Sequence, residues 1–224
     1  IRTVTDKPVC YVINTHVHFD HVLGNLAFKQ DNPEYIGHAS LADAIENNRE
    51  FFLQEFSDDL GPDPDENSII GPDRTVADML ELDLGDRQLL LTGYPPAHTH
   101  ADLTVLDKKT GTLWTGDLLF RERIPALDGD LKGWLAVMEE LKKIEVNRIV
   151  PGHGSPGETW SETMTAQENY LTTLLTQTRE GIAEGLFMEK AIETIGEKEK
   201  KKWLLYEQHH KSNVSKAFTQ LEWE

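Results

Sequence analysis

Four potential metal ligands, His16, His18, Asp20 and His21, lie within six positions of one another in the sequence. An apolar run over residues 9–14 precedes them and predicts a buried strand. Side chains at positions i and i+2 of an extended segment point to the same side, so His16 and His18 can bind one ion. Asp20 and His21 lie beyond the strand, where the turning chain can direct them to a second point nearby. Imidazole and carboxylate are natural zinc ligands, and burying four such groups without an ion would be costly.

Three further candidates, His98, Asp117 and His153, each lie just beyond a predicted strand, with glycines nearby that allow close backbone approach. Catalytic ligands commonly project from such loops, where a rigid scaffold holds them. Taken singly, Asp117 also fits a turn or helix cap, and His153 also fits a turn residue. His100 competes with His98 for the same role; we favour His98 as the ligand and expect His100 to line the site.

The other histidines, His38, His209 and His210, have no ligand spacing around them, so we expect packed or surface side chains. Cys10 is the only cysteine, which excludes a disulfide scaffold and a cysteine-based zinc finger.

The elements that must position these residues alternate between strands and helices, with two antiparallel hairpins among them. This order predicts an α/β fold with mixed sheets. Apolar spacing at helical period predicts three longer helices, and residues 58–73 are expected to form a loop. The predicted strands are 9–14, 35–37, 79–84, 88–92, 103–107, 112–115 and 148–150, the helices are 41–56, 131–141 and 160–186, and residues 190–224 are expected to form one or two short helices.

The composition limits the possible partners of the protein. The chain has 224 residues, with 22 Lys and Arg against 39 Asp and Glu, so its formal net charge is −17. Nucleic acids and anionic membrane surfaces require clustered basic residues, so neither is an expected partner. No apolar run reaches the length of a membrane span. We expect a small-molecule substrate.

The ligand pattern resembles the metallo-β-lactamase superfamily over residues 9–154. The resemblance rests on the HVHFDH segment at 16–21 and on three shorter motifs around His98, Asp117 and His153. It implies an αββα sandwich with two zinc ions. It further implies that His16, His18 and His98 hold the first zinc, that Asp20, His21 and His153 hold the second, and that Asp117 bridges them. A flavo-diiron relative would be expected to carry Glu at position 18, so His18 favours zinc over redox iron.

A narrower resemblance is to the quinoprotein relay system zinc metallohydrolases, a SoxH-like branch. It is carried by INTHVH at 13–18, PAHT at 96–99, PALDG at 125–129, GWL at 133–135 and LEWE at 221–224. This branch implies export to the periplasm. Glyoxalase II-like relatives imply that the C-terminal helices add a wall to the cleft. We therefore expect a catalytic domain over residues 1–160 and a helical segment over 161–224 packed on it.

One departure from the superfamily lies at the beginning of the chain. Only fifteen residues precede His16, so the usual N-terminal strands are expected to be absent from this sequence. A sheet edge that no strand covers favours association, so we expect a homo-oligomer through that edge.

The expected chemistry is hydrolysis of an ester, thioester or amide. Zinc lowers the pKa of bound water to about 7, which supplies a hydroxide nucleophile at neutral pH. Asp20 and Asp117 are the expected catalytic residues, since each can orient the nucleophile or accept its proton. Residues 121–130 follow Asp117 and are expected to form a lip of the cleft. The alternative is a non-catalytic, metal-binding accessory protein of a quinoprotein pathway.

Overall fold

A computed structural model describes residues 1–224 as two β-sheets packed face to face between layers of helices. The first sheet has three parallel strands in the order β1-β2-β3. Helices connect these strands, as parallel pairing requires a crossover. The elements are β1 (Tyr11–Ile13), α1 (Phe19–Val22), β2 (Glu34–His38), α2 (Leu41–Glu55), α3 (Ser57–Leu60) and β3 (Arg74–Val76), with 3₁₀ turns at Leu23–Asp31 and Glu66–Ser68.

The second sheet has five strands in chain order. The first four form an antiparallel meander, and the last pairs parallel to its neighbour after a helical crossover. Both predicted hairpins are therefore present. The elements are β4 (Met79–Asp83), β5 (Gln88–Gly93), β6 (Leu103–Asp107), β7 (Thr112–Phe120), α4 (Leu131–Leu141) and β8 (Arg148–His153).

The C-terminal part of the chain is helical and packs on the second sheet. Its helices share one large apolar core with α4 and β7, in which Trp134, Tyr170 and Phe120 are fully buried. The side chain of Asn213 accepts a hydrogen bond from Leu127 N–H and donates one to the Pro125 carbonyl, which fixes the loop after β7. The elements are α5 (Trp160–Ala183), α6 (Met188–Thr194) and α7 (Tyr206–Leu221), with a 3₁₀ turn at Glu197–Lys202.

The two helix layers lie on opposite outer faces of the sandwich. Ile36 of β2 packs between the sheets, whereas a Cβ at the neighbouring Gly37 would contact Leu41 of α2. Because successive residues of a strand face opposite sides, α2 covers the outer face of the first sheet. Helices α4, α5 and α7 belong to the separate core on the second sheet. No helix in the structure is both long and apolar enough to cross a bilayer.

Several predicted boundaries differ from the structure. Strand β7 continues through Phe120 instead of ending at residue 115, because Gly116 forms an irregularity in the pairing with β8 and the strand then resumes. The predicted loop at 58–73 contains α3 and a 3₁₀ turn, and the short β3 follows it. Residues Arg74 and Thr75 of β3 are exposed, so no apolar pattern could reveal this strand.

The first sheet is smaller than the second, and β1 is one of its edges. The division at residue 160 and oligomerisation through the open edge both remain predictions.

Candidate metal centre

The histidine-rich segment is held by a pair of buried asparagines. Strand β1 ends at Ile13, and the Asn14 side chain then donates hydrogen bonds to the His21 carbonyl and to Asn25 Oδ1. Asn25 in turn donates to Asn14 Oδ1 and to the Ile70 carbonyl. These bonds fix the turn between β1 and α1, so the ligand side chains leave a rigid loop.

The structure brings all seven predicted ligand side chains together in two adjacent groups. Within each group the ligand atoms lie within 4.8 Å of one another. We call them the inner group and the outer group according to their burial. The inner group is His16, His18, His98 and Asp117, and the outer group is Asp20, His21 and His153.

Three imidazole nitrogens of the inner group face one another. His18 Nδ1 lies 3.2 Å from His16 Nε2 and 3.1 Å from His98 Nε2. Asp117 Oδ2 lies 3.6 Å from His16 Nε2 and 3.5 Å from His98 Nε2. The His18 side chain is 27% exposed, whereas the other three are almost completely buried. This convergence defines a point with three nitrogen donors and one oxygen donor.

The outer group lies on the solvent side of Asp117. His153 Nε2 is 3.2 Å from Asp20 Oδ2, and His21 Nε2 is 3.6 Å from the same oxygen. Asp117 Oδ1 lies 3.3 Å from His21 Nε2, and Asp117 Oδ2 lies 3.3 Å from His153 Nε2. Asp117 therefore contacts both groups, as the predicted bridging role requires.

Two glycines allow Asp117 to reach this position. Gly116 has a φ of +52°, and a Cβ there would come 2.5 Å from Thr15 Cβ. A Cβ at Gly152 would overlap Asp117 Oδ1. Residues with side chains at these positions would push β7 away from the histidine-rich loop or displace the carboxylate.

The hydrogen bonds of the inner histidines leave lone pairs pointing at one another. His98 Nδ1 lies 2.7 Å from the Ala126 carbonyl, which only accepts, so His98 Nε2 carries no proton in the neutral ring. His18 Nε2 lies 3.3 Å from Asp128 Oδ2, and the neutral tautomer that donates to this carboxylate has its lone pair on Nδ1. Burial lowers the pKa of His98 to about 3, which keeps its ring neutral. In these two tautomers, His98 Nε2 and His18 Nδ1 lie 3.1 Å apart and both carry lone pairs.

A bound cation would account for this arrangement and for a poorly satisfied contact beside it. His21 Nε2 and Asp117 Oδ1 are buried and lie 3.3 Å apart, but neither atom makes a hydrogen bond, although buried polar groups are usually paired. Burial raises the pKa of the Asp117 carboxyl, but His153, His16 and His21 outweigh it and hold that pKa well below its usual value. The donors are imidazoles and carboxylates, so the residues fit a divalent metal such as zinc.

The structure separates the two competing histidines of the 98–100 segment. His98 belongs to the inner group, whereas His100 is exposed and lies in neither group. His38 and His210 are buried packing residues, as expected. His209 differs from the expectation, because it lies on the wall of the cleft beside the metal centre. Burial and the neighbouring Arg123 lower the pKa of His209.

Two supporting carboxylates were not predicted as functional residues. Asp128 accepts from His18 and from Lys216 of α7, and these bonds lower the pKa of its carboxyl. Asp102 accepts from Thr99 N–H and from the Thr99 hydroxyl, both at 2.8 Å, which fixes the loop that carries His98. Burial raises the pKa of Asp102 to about 7. Asp128 is part of the PALDG segment at 125–129, but its contact with His18 is visible only in the folded structure.

A cleft of about 360 Å³ opens from the metal centre. The loop after β7 supplies one side of it, which agrees with the lip expected over residues 121–130, and α7 supplies another. Phe19 and Phe120 give the cleft apolar surface. The residues contributed by the loop and by α7 are Arg123, Ala126, Leu127, Asp128, His209, Ser212, Asn213 and Lys216.

The protein belongs to the metallo-β-lactamase superfamily, whose family model matches residues 1–153. Solved structures show the same fold. They include a metallo-β-lactamase from Pontibacter korlensis, with 22% identity, a TM-score of 0.59, and coverage of 75% of this chain and 71% of that one. DIM-1 metallo-β-lactamase shares 15% identity with a TM-score of 0.55, covering 72% of this chain and 66% of the other.

A longer neighbour aligns with nearly the whole chain. The stereoselective inverting sec-alkylsulfatase Pisa1 from Pseudomonas sp. has 14% identity and a TM-score of 0.70. The alignment covers 96% of this chain but only 41% of the alkylsulfatase. No curated protein matches the sequence significantly. These likenesses define the class of the protein as a metallo-β-lactamase-fold protein with a candidate metal-binding histidine and aspartate cluster.

Proposed function

We propose that the protein is a zinc-dependent hydrolase with two metal positions, acting on an ester, thioester or amide of a small molecule. The inner group would hold one zinc and the outer group the second, with Asp117 shared between them. The observation that carries the proposal is the convergence of three imidazole nitrogens and a carboxylate oxygen on one point in the inner group. Imidazole and carboxylate are the natural ligands of zinc, and a bound ion would satisfy all four groups at once.

Bound zinc would lower the pKa of coordinated water to about 7 and stabilise negative charge on the substrate oxygen. The protein supplies the positioning. Asp117 is almost completely buried and fixed between both groups, whereas the Asp20 side chain is 34% exposed at the cleft. Asp20 is therefore placed to orient an incoming water and to accept its proton. For a thioester, the carbonyl carbon gains the oxygen of water, the C–S bond breaks, and the thiol leaves with a proton.

The substrate class within this chemistry is part of the same proposal. The SoxH-like and glyoxalase II-like resemblances favour a thioester or ester, and the C-terminal wall of the cleft supports them. The named structural neighbours include metallo-β-lactamases and a sec-alkylsulfatase. A test panel therefore contains an aryl ester, a thioester, a chromogenic β-lactam and a secondary alkyl sulfate.

The test combines zinc content with turnover of that panel. We expect the purified protein to hold two zinc ions per chain and to hydrolyse the ester or the thioester. His16→Ala should lose both properties while keeping its circular dichroism spectrum. His100→Ala is the matched control, because it removes an exposed imidazole outside both groups. Two zinc ions with no turnover of any substrate would instead support the non-catalytic accessory protein.

A further inference from the structure

One arginine in the cleft has no counter-ion, although the protein is strongly acidic. Arg49, Arg121 and Arg123 are the partly buried arginines, and the first two pair with Glu46 and Glu162. Arg123 forms no ion pair with any carboxylate. Its Nη1 lies 3.1 Å from His153 Nδ1, and its Nε is buried without a hydrogen-bond partner. A half-buried guanidinium with free donors is a ready site for an anionic oxygen group.

Polar groups of α7 line the cleft together with this guanidinium. They are His209 and Ser212, and Arg123 is close enough to His209 to contribute to the lowering of its pKa. Lys216 also lines the cleft but is paired with Asp128. Arg123, His209 and Ser212 therefore form a polar side of the cleft, on the flank built by the second sheet and its helices.

An aromatic surface extends from the cleft on the side of the first sheet. Phe19 lines the cleft and stacks on Phe56 with ring centroids 4.4 Å apart, and Phe51 meets Phe56 at 6.0 Å. Phe19 is 46% exposed and Phe51 is 52% exposed. We call Phe19, Phe51 and Phe56 the aromatic shelf. It belongs to α1, α2 and the start of α3, which cover the first sheet, so the metal centre lies between the shelf and the polar side.

We propose that the substrate is amphipathic, with an anionic group held by Arg123 on one side of the scissile bond and an apolar group on the aromatic shelf on the other. This inference rests on the proposed hydrolase function. Charged hydrogen bonds orient the substrate, and burial of an apolar group on exposed aromatic rings contributes affinity. The orientation places the scissile bond at the metal centre.

The test uses matched thioester pairs with thiol release as the readout. The first pair is the S-benzyl thioester of adipic acid, which keeps one free carboxylate, and the neutral S-benzyl thioester of hexanoic acid. The second pair reverses the orientation: phenylacetyl thioesters of 3-mercaptopropionate and of neutral propanethiol. We expect the anionic member of at least one pair to have a kcat/KM roughly tenfold or more above its neutral partner.

Substitutions test whether Arg123 causes the preference for anionic substrates and whether the aromatic shelf binds the apolar group. Arg123→Gln should abolish the ratio between anionic and neutral partners, whereas loss of a merely structural contact with His153 would lower both rates equally. Arg148→Gln is the matched control, because Arg148 is exposed, unpaired and outside the cleft. Phe51→Ala should reduce kcat/KM for the S-benzyl thioester but not for its S-methyl analogue, with exposed Phe187→Ala of the α6 boundary as control.

The outcomes separate this inference from the proposed function. Turnover of all thioesters with no preference for an anion in either pair would overturn the inference and leave the hydrolase intact. An anionic preference that persists in Arg123→Gln would also overturn it. Absence of turnover on any thioester, ester, β-lactam or alkyl sulfate by the zinc-loaded protein would instead contradict the hydrolase function itself.

Discussion

The inner and outer ligand groups use the same side-chain types but differ in how firmly the protein holds them. Three of the four inner side chains, those of His16, His98 and Asp117, are almost completely buried, whereas that of His18 is 27% exposed. The outer side chains are 34%, 17% and 19% exposed for Asp20, His21 and His153. Ligands in a buried setting are less mobile and less accessible to water, so the inner group is the more rigid of the two.

The second difference lies in the partners behind the ligands. In the inner group, His98 Nδ1 faces the Ala126 carbonyl and His18 Nε2 faces Asp128, while His16 Nδ1 lies 3.1 Å from the Thr15 hydroxyl. In the outer group, His153 Nδ1 faces the Arg123 guanidinium, and His21 Nδ1 is 3.4 Å from the Thr15 hydroxyl. Acceptors behind a ligating histidine fix its orientation and increase its basicity, whereas a cation does neither. One metal centre can therefore combine a preorganised inner position with an outer position that binds metal more weakly.

Loss of the shared carboxylate should have the largest effect. Asp117→Ala removes the carboxylate that faces ring nitrogens of both groups, so we expect activity to fall by about a thousandfold or more. Zinc content measured after gel filtration should fall at least as far as it does in His16→Ala. Wild-type zinc content in a folded Asp117→Ala protein would contradict the claim that Asp117 is a ligand shared by the two zinc ions.

Substitution of a single histidine should lower zinc binding by different amounts at the inner and outer positions. We expect His153→Ala to keep one zinc ion per chain after dialysis against a chelator, because the inner group is intact. His18→Ala should keep none under the same conditions, since only the weaker outer group remains. Metal analysis by mass spectrometry checks both variants, and the reverse pattern would show that the ranking of the two positions is wrong.

A change behind the inner group should have a smaller effect than loss of a ligand. Asp128→Asn weakens the acceptor of His18 Nε2, so we expect zinc affinity at the inner position to fall by about 10-fold to 100-fold. Competition with a chromophoric chelator measures this. Asp86→Asn, at an exposed turn far from the cleft, is the control. Equal affinities in the two variants would mean that Asp128 does not support the ligand.

The helical layer provides a comparison that is independent of metal, with the smallest expected effect. His210 contacts the Tyr170 hydroxyl and the Ile195 carbonyl. Burial lowers the pKa of His210, and this effect outweighs the bond to Ile195 and the charges of Glu207 and Glu199, which raise it. Since the unfolded chain binds the proton more tightly, stability should fall as the pH drops below about 6.5. Urea unfolding at several pH values, with His210→Gln as the reference, measures this; a pH slope that is the same in both proteins would exclude His210 as its source.

The sequence could predict which side chains cluster at the candidate metal centre because they are concentrated at strand ends. The alternation of His16 and His18 and the glycines around Asp117 and His153 are local signals, and the structure gathers these side chains. The supporting residues left no such signal. Asp128, Arg123 and His209 acquire their surroundings only when α7 packs against the loop after β7. The bulge at Gly116 was also unforeseen, because its positive φ arises from the close approach of Thr15.

Calorimetric titration of the metal-free protein with zinc tests the central claim most directly. We expect two equivalents per chain with unequal affinities, the tighter one abolished by His18→Ala and the weaker one by His153→Ala. Binding of a single equivalent, two equivalents of equal affinity, or no zinc at all would contradict a centre built from a preorganised inner group and a looser outer group.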